Sequence, residues 1–430
     1  MKKIIAAGAL PLMALGLAGT AHASGFYLQE QSVRGNGRAF SGETADQGAA
    51  SMWWNPAAIG GIRGCDGALG VSAILPRGNV NNLGTVIVRP GQAPAAVGGD
   101  AVSRNPITNG VLPSGGFACA ITPRLSVGMN IGAPYAFETK YPTTSWARYT
   151  ALQTKLRLYD LQPTIAFAVT PEISIGAGLN VHYAEATLSN ALPQISPLLP
   201  GDGFQELKGN GWDVGYSVGA QYHKGPLQLG VGYKSAVKHT LTGTVTTSGL
   251  LGPLAAQNST ISTTANFSTP WQVNFGARYR VSPQVTLNAQ AVRMGWSEFD
   301  AIRLGAPLNA AIPENYRDTW SFAGGVDYDI SPKLTLRAGV QHDQTPTSNG
   351  NRDARVPDNN RWNFSGGASY NLSERFTIDA AATYIAIDDA VINRTTAAYA
   401  GTAAQTPILV NGSLTDAHAV VLSIGGRVHF

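Results

Sequence analysis

The amino-acid sequence predicts an all-β protein, a 14-stranded antiparallel transmembrane β-barrel with an N-terminal hatch, or plug, in its lumen. Three observations predict it. Proline-bearing tight turns recur along the chain, the runs between them alternate with period two, and only 13% of the 430 residues are charged. A water-facing surface usually carries about 25% charge, whereas strands half in lipid need little.

The turns come first because they count the strands. Thr122-Pro123-Arg124, Thr170-Pro171-Glu172, Ser282-Pro283-Gln284 and Ser331-Pro332-Lys333 share one pattern, and Lys224-Gly225-Pro226 and Leu372-Ser373-Glu374 are variants of it. Proline presets a turn dihedral and cannot donate in a central ladder, so each marks the end of one strand and the start of the next. Between these six turns lie seven long stretches rich in Pro, Gly, Ser, Thr and Asn, near 77–111, 136–150, 189–208, 247–262, 303–315, 345–357 and 388–416. Short turns at one end and long loops at the other are the asymmetry of outer-membrane barrels, whose short side faces the periplasm. Thirteen connections give fourteen strands.

The runs supply the faces. Trp320, Phe322, Val326, Tyr328 and Ile330 alternate with Ser321, Asp327 and Asp329, and Trp212, Val214, Tyr216 and Val218 with Asp213, Ser217 and Gln221. One face is oily and the other carries Gly, Ser, Asn, Gln and Asp in place of the Lys and Glu of a soluble sheet, which suits a lumen. The last strand, Val420 to Phe430, alternates likewise and stops on an aromatic.

Residues 1–23 read as an export signal, with Lys2 and Lys3 before an apolar run and Ala21 and Ala23 at the cleavage positions ahead of Ser24. The run is broken by Gly8, Pro11 and Gly16 and is too short for a membrane-spanning helix. Net charge is +4, or +2 without Lys2 and Lys3, which is too weak to indicate nucleic acid. Residues 24–62 do not alternate, and Phe26, Tyr27, Phe40, Trp53 and Trp54 argue against a solvated tail. They are expected to lie in the lumen as the hatch, with 63–430 forming the barrel. Gly35, Gly37 and Gly42 follow no strand and precede no Lys-Ser/Thr, so no nucleotide loop is read there. Cys65 opens the first strand and Cys119 lies near the end of the second, so an antiparallel hairpin permits a disulfide at the periplasmic rim.

Several blocks resemble the FadL/TodX outer-membrane channels for long-chain fatty acids and aromatic hydrocarbons. They are Ser24-Gly25-Phe26, Gly37-Arg38-Ala39-Phe40-Ser41-Gly42, Asn55-Pro56-Ala57, Tyr233-Lys234-Ser235, Trp296-Ser297 with Phe299, and Tyr316-Arg317-Asp318 through Pro357-Asp358. The resemblance implies a fourteen-stranded barrel with a hatch and uptake of hydrophobic molecules, which leave sideways through a gap at an inward kink of the third strand. Lateral release passes an apolar solute between apolar media without exposing it to water. The third strand runs from Leu125 to Ala133 into Pro134, so Gly132, Pro134 and Tyr135 are the expected lateral gate.

Phe26, Arg317, Lys234 and Glu185 are the expected ligand contacts. Parity with outward Trp320 turns Arg317 inward, and parity with Val231 and Tyr233 does the same for Lys234. Glu185 stands where the fatty-acid member has an arginine. An acid there would repel a carboxylate, although strict alternation points Glu185 outward unless a bulge turns it. The expected partners are hydrophobic small molecules, outer-membrane lipid and lipopolysaccharide, with no cofactor, no metal and no nucleic acid, and the barrel is expected to be a monomer. A hydrolase would need a nucleophile, base and orienter together. His182, His223, His239, His342, His418 and His429 fall singly along the sequence, so none is read as catalytic. A general porin is the other alternative, disfavoured by the plug.

Overall fold

The structure is a computed structural model that describes residues 25–430; the expected export signal and its cleavage before Ser24 lie outside the described residues. Fourteen antiparallel barrel strands follow one another: β1 Cys65–Asn82, β2 Gly110–Ala120, β3 Leu125–Lys140, β4 Gln153–Ala168, β5 Ile173–Leu192 and β6 Gly203–Lys224. After them come β7 Leu227–Lys234 continuing as Val237–Ser248, β8 Ser259–Thr269 continuing as Trp271–Arg280, β9 Val285–Gly295 and β10 Thr319–Ser331. The last four are β11 Leu334–Asp343, β12 Arg361–Asn371, β13 Phe376–Ile387 and β14 Thr406–His429. Asp66 pairs with His429 and Phe376 with Val428, so β14 closes the sheet between β1 and β13.

The six short turns fall where proline recurrence puts them, and a side chain explains their recurrence. The hydroxyl of Thr122, Thr170, Ser282, Ser331 or Ser373 accepts the backbone N–H two and three residues further on. That bond is local and favours the reversal without any partner strand. Several of the long loops are shorter than expected, whereas those at 296–318 and 344–360 are longer. Strand β3 continues to Lys140, and an extra hairpin arm at Ala390–Ala398 pairs with Thr406–Leu414 of β14.

Burial is inverted relative to a soluble protein. Trp212, Val214, Phe322, Phe364 and Ile424 are exposed on the outer face, while Gln162, Asn180, Gln221, Asn274 and Asn363 are buried inside. Lipid meets the first set and the hatch meets the second. Cys65 and Cys119 are register partners on β1 and β2, with their sulfurs bonded.

The segment before Cys65 folds as one short α-helix, Val33–Asn36, and three single-turn helices, ending in Pro56–Ile59. Asn55 caps that last turn, its Oδ1 accepting from Ala57 N at 3.0 Å while its Nδ2 donates to Thr44 O and to Ala220 O of β6. Pro56 suits the first helical position, where no N–H is needed. The Asn-Pro-Ala block is therefore a cap that also staples hatch to wall. The wall makes room for it: a Cβ on Gly219 or Gly230 would lie 2.0 Å from Asn55 Oδ1 or Thr44 O.

Ion pairs fasten the other half of the hatch. Arg38, fully buried, meets Asp327 of β10 at 3.0 Å, Asp46 at 2.6 Å and Glu43 at 2.5 Å. Arg278 of β8 bridges Asp46 at 2.6 Å and Asp327 at 2.9 Å.

Candidate functional site

An apolar cavity lies above the hatch with about 70 Å³ of free volume. Its wall includes Leu156 of β4, Leu188 of β5, Leu241 of β7 and Phe267 of β8, and its floor is Phe26. Phe26 is 3% exposed and packs edge-on against Trp296 at 4.9 Å and Phe299 at 5.1 Å. Its position is held by backbone: Gly25 N donates to Asp358 Oδ2 at 3.0 Å, and Asp358 is fixed in turn by Arg361 at 2.9 Å.

The wall beside Phe26 is interrupted. The β2–β3 ladder runs from Ala120–Ser126 to Gly115–Ile131 and stops, while Gly110–Ser114 remain paired with β1 alone. On its other side β3 slips by one residue against β4 between Gly132 and Tyr135, around Ala133 and Pro134. A bulge bends the strand that carries it. The free β3 edge needs partners, and the hatch supplies them: Leu28 N donates to Pro134 O at 2.7 Å and Ala136 N donates to Phe26 O at 3.0 Å. Higher up, Ile107 bridges Thr139. The interruption is thus a window bounded by Gly115–Ile131 and Ile107–Thr139, with hatch residues Phe26–Leu28 inside it.

The anticipated polar contacts are redistributed. Arg317 precedes β10, which starts at Thr319, and is exposed, its Nε donating to Thr345 O at 3.3 Å. Strand parity does not extend into a loop, so the inward orientation expected of Arg317 is corrected. Arg355 and Glu314 line the cavity in its place, from loops whose docking no local pattern encodes. Arg355 Nε donates to Thr150 O at 3.0 Å, and its Nη1 has no hydrogen-bond partner. Burial, reinforced by the neighbouring Asp353, pushes the Glu314 carboxyl up to about 7 against the pull of Arg394 and Arg355.

Lys234 points inward but sits below the cavity. Its Nζ donates to Gln162 Oε1 at 2.7 Å and lies 4.5 Å over the Trp53 ring. Glu185 faces out of the barrel, paired with Lys155 at 2.8 Å and Arg157 at 3.7 Å. Its ladder is unbroken on both sides. Without a bulge it cannot turn to the lumen, so Glu185 is not the ligand contact expected of it.

The histidines are not all single. Asp160 of β4, His182 of β5 and Asp213 of β6 are consecutive register partners facing inward at the level of the β3 bulge. Strand β7 breaks between Lys234 and Val237, and beyond the break His239 stacks on His182 at 5.6 Å with 8° between the rings. Parity makes both residues inward, but which rungs meet depends on register and on the β7 break, neither of which is local. Among the described residues no group of His, Cys, Asp or Glu is arranged to hold a metal ion.

The sequence matches the family described as outer membrane protein transport protein (OMPP1/FadL/TodX) over residues 14–430. It is 24% identical over 422 residues to the long-chain fatty acid transport protein of Escherichia coli O6:H1, covering 89% of this chain and 92% of that one. It is 25% identical over 385 residues to outer membrane protein P1 of Haemophilus influenzae, covering 80% and 82%. A crystal structure of a Pseudomonas aeruginosa FadL homologue superposes with a TM-score of 0.83 at 22% identity, covering 94% of this chain and 100% of that one. The Ralstonia pickettii toluene transporter TbuX superposes at 0.61 with 20% identity, covering 97% and 100%.

Proposed function

The chain belongs to the OMPP1/FadL/TodX family of outer membrane transport proteins, and from that premise we propose that it carries hydrophobic molecules inward and releases them sideways through the β2–β3 window. The cargo classes are long-chain fatty acids and aromatic or other hydrocarbons, in keeping with the Escherichia coli long-chain fatty acid transport protein and the Ralstonia pickettii toluene transporter. One observation carries the reading: an oily cavity ends on Phe26, and Phe26 lies in the window where the ladder stops. The hatch fills the straight path below, so an apolar solute leaves more cheaply through the wall than through polar packing. We read Gly132, Pro134 and Tyr135 as the gate. The barrel acts as a monomer in outer-membrane lipid. Outward Lys155, Arg157 and Lys208, above the Tyr159, Tyr183 and Trp212 rings, suit contact with lipopolysaccharide phosphates.

Deleting Ala133 tests the gate, because one residue separates the two registers of β3. In cells lacking other such channels, uptake of labelled hexadecanoate and toluene is expected to fall at least tenfold while the barrel still folds. Unchanged uptake would refute lateral release, and uptake equal to that of cells without the protein in the parent would refute transport.

A further inference from the structure

Resting on the transport reading, we propose that Asp160, His182, His239 and Asp213 form a head-group site. On this view the site prefers, among hydrophobic cargoes, a neutral one bearing one hydrogen-bonding oxygen, a hydroxyl or a carbonyl.

The row lies on the route from cavity to window. Leu156 and Leu241 line the cavity. On the same inward faces, His239 lies two residues below Leu241 and Asp160 four below Leu156. At roughly 3.3 Å per residue, that is within reach of a chain-bearing molecule seated in the cavity. His239 also stacks at 5.0 Å on Phe267, whose ring lines the cavity. At the other end, Asp160 is the β4 partner of Gly132, the last pair before the β3 bulge.

The row is buried and its bonding is incomplete. His182 is 4% exposed, Asp160 1% and His239 0%. Asn180 donates to Asp160 Oδ2 at 2.8 Å, and Asp213 Oδ2 lies 3.3 Å from His239 Nδ1 and accepts from Thr240 N. Yet His182 Nδ1 and Asn180 Oδ1 have no partner, and Asp160 Oδ1 meets His182 Nε2 only at 3.6 Å. Buried polar groups are nearly always paired, so donors and acceptors left over together on one lumen face have bonding capacity for a guest. A hydroxyl both donates and accepts, and can use both kinds.

Charge selects against an anion. Two carboxylates, Asp160 and Asp213, face one ammonium, Lys234, which is 3.9 Å from Asp160 and already bonded to Gln162. A carboxylate cargo would meet net repulsion at short range in a poorly screened lumen. An alkane would reach the row but leave its groups unpaired, and sites built to bond an oxygen discriminate strongly against analogues that lack it.

The test compares hexadecanol, hexadecane and hexadecanoate binding to the purified full-length barrel in detergent, for the parent and for His182→Leu and Asp160→Asn. Hexadecanol is expected to bind about tenfold tighter than hexadecane and to exceed hexadecanoate by at least as much. His182→Leu should erase the alcohol preference without weakening hexadecane, and Asp160→Asn should improve hexadecanoate. Heat-modifiable migration reports whether each variant folds; if one does not, the parent's ranking of the three head groups decides alone. Equal parent affinities for alcohol and alkane, or a preference that survives His182→Leu, would overturn the head-group site. Binding of none of the three would refute the transport reading as well.

Discussion

Replacing Arg38 with Met should unseat the hatch while leaving the barrel closed. Arg38 has no exposed side-chain surface and touches Asp327, Asp46 and Glu43 at 2.5 to 3.0 Å. Asp327 retains Arg278 and Arg337, and Asp46 retains Arg34 and Arg278, but Glu43 keeps only the Ser51 hydroxyl among the side chains that bond it. Removing one member of a buried ionic network costs about 3 to 5 kcal/mol, because the abandoned charge stays buried. All of that cost falls on the docked hatch, since an undocked hatch hydrates Glu43. The undocked population therefore rises roughly a hundredfold to several thousandfold. Planar-bilayer recordings should read this as frequent openings of a large aqueous conductance absent from the parent. Cells should become sensitive to bulky polar antibiotics. The strand ladders are untouched, so heat-modifiable migration should be unchanged. A folded Arg38→Met barrel that stays as electrically silent as the parent would refute the claim that these ion pairs hold the plug.

Glu314 should make anionic cargo pH-dependent. With its carboxyl held up near 7 by burial and by Asp353, it is largely protonated at about pH 6 and ionised at about pH 8, so the packing of its loop loses stability as pH rises through about 7. Affinity for hexadecanoate should fall over that interval, hexadecanol should not respond, and Glu314→Gln should flatten the profile. The Cys65–Cys119 bond closes a sequence separation of 54 residues, so its loss is expected to cost about 4 kcal/mol through the entropy of the unfolded chain. The double serine variant should unfold at lower guanidinium concentration, and free thiols in protein taken from oxidised membranes would refute the bond.

What could be read from the sequence was whatever is encoded within a few residues. Five of the six turns were legible because a Ser or Thr hydroxyl binds the next backbone N–H groups without help from any partner strand, and the sixth because Gly225 supplies the positive φ its turn needs. The faces were legible because side chains alternate along every strand, and the hatch because residues before Cys65 lack that alternation. From these followed the count of fourteen, the inward Lys234 and the outward parity of Glu185. Tertiary structure decided the rest. Register between strands brings His182 to Asp160 and Asp213, and the break in β7 lays His239 on top. Loop docking, not parity, takes Arg317 away from the cavity and brings Arg355 and Glu314 to it. The β3 edge freed by β2 is completed by Phe26 and Leu28 of the hatch, more than a hundred residues earlier in the chain. The physical reason is range: turn chemistry and alternation act on neighbours, whereas register, bulges and loop contacts are settled between segments the chain must first bring together.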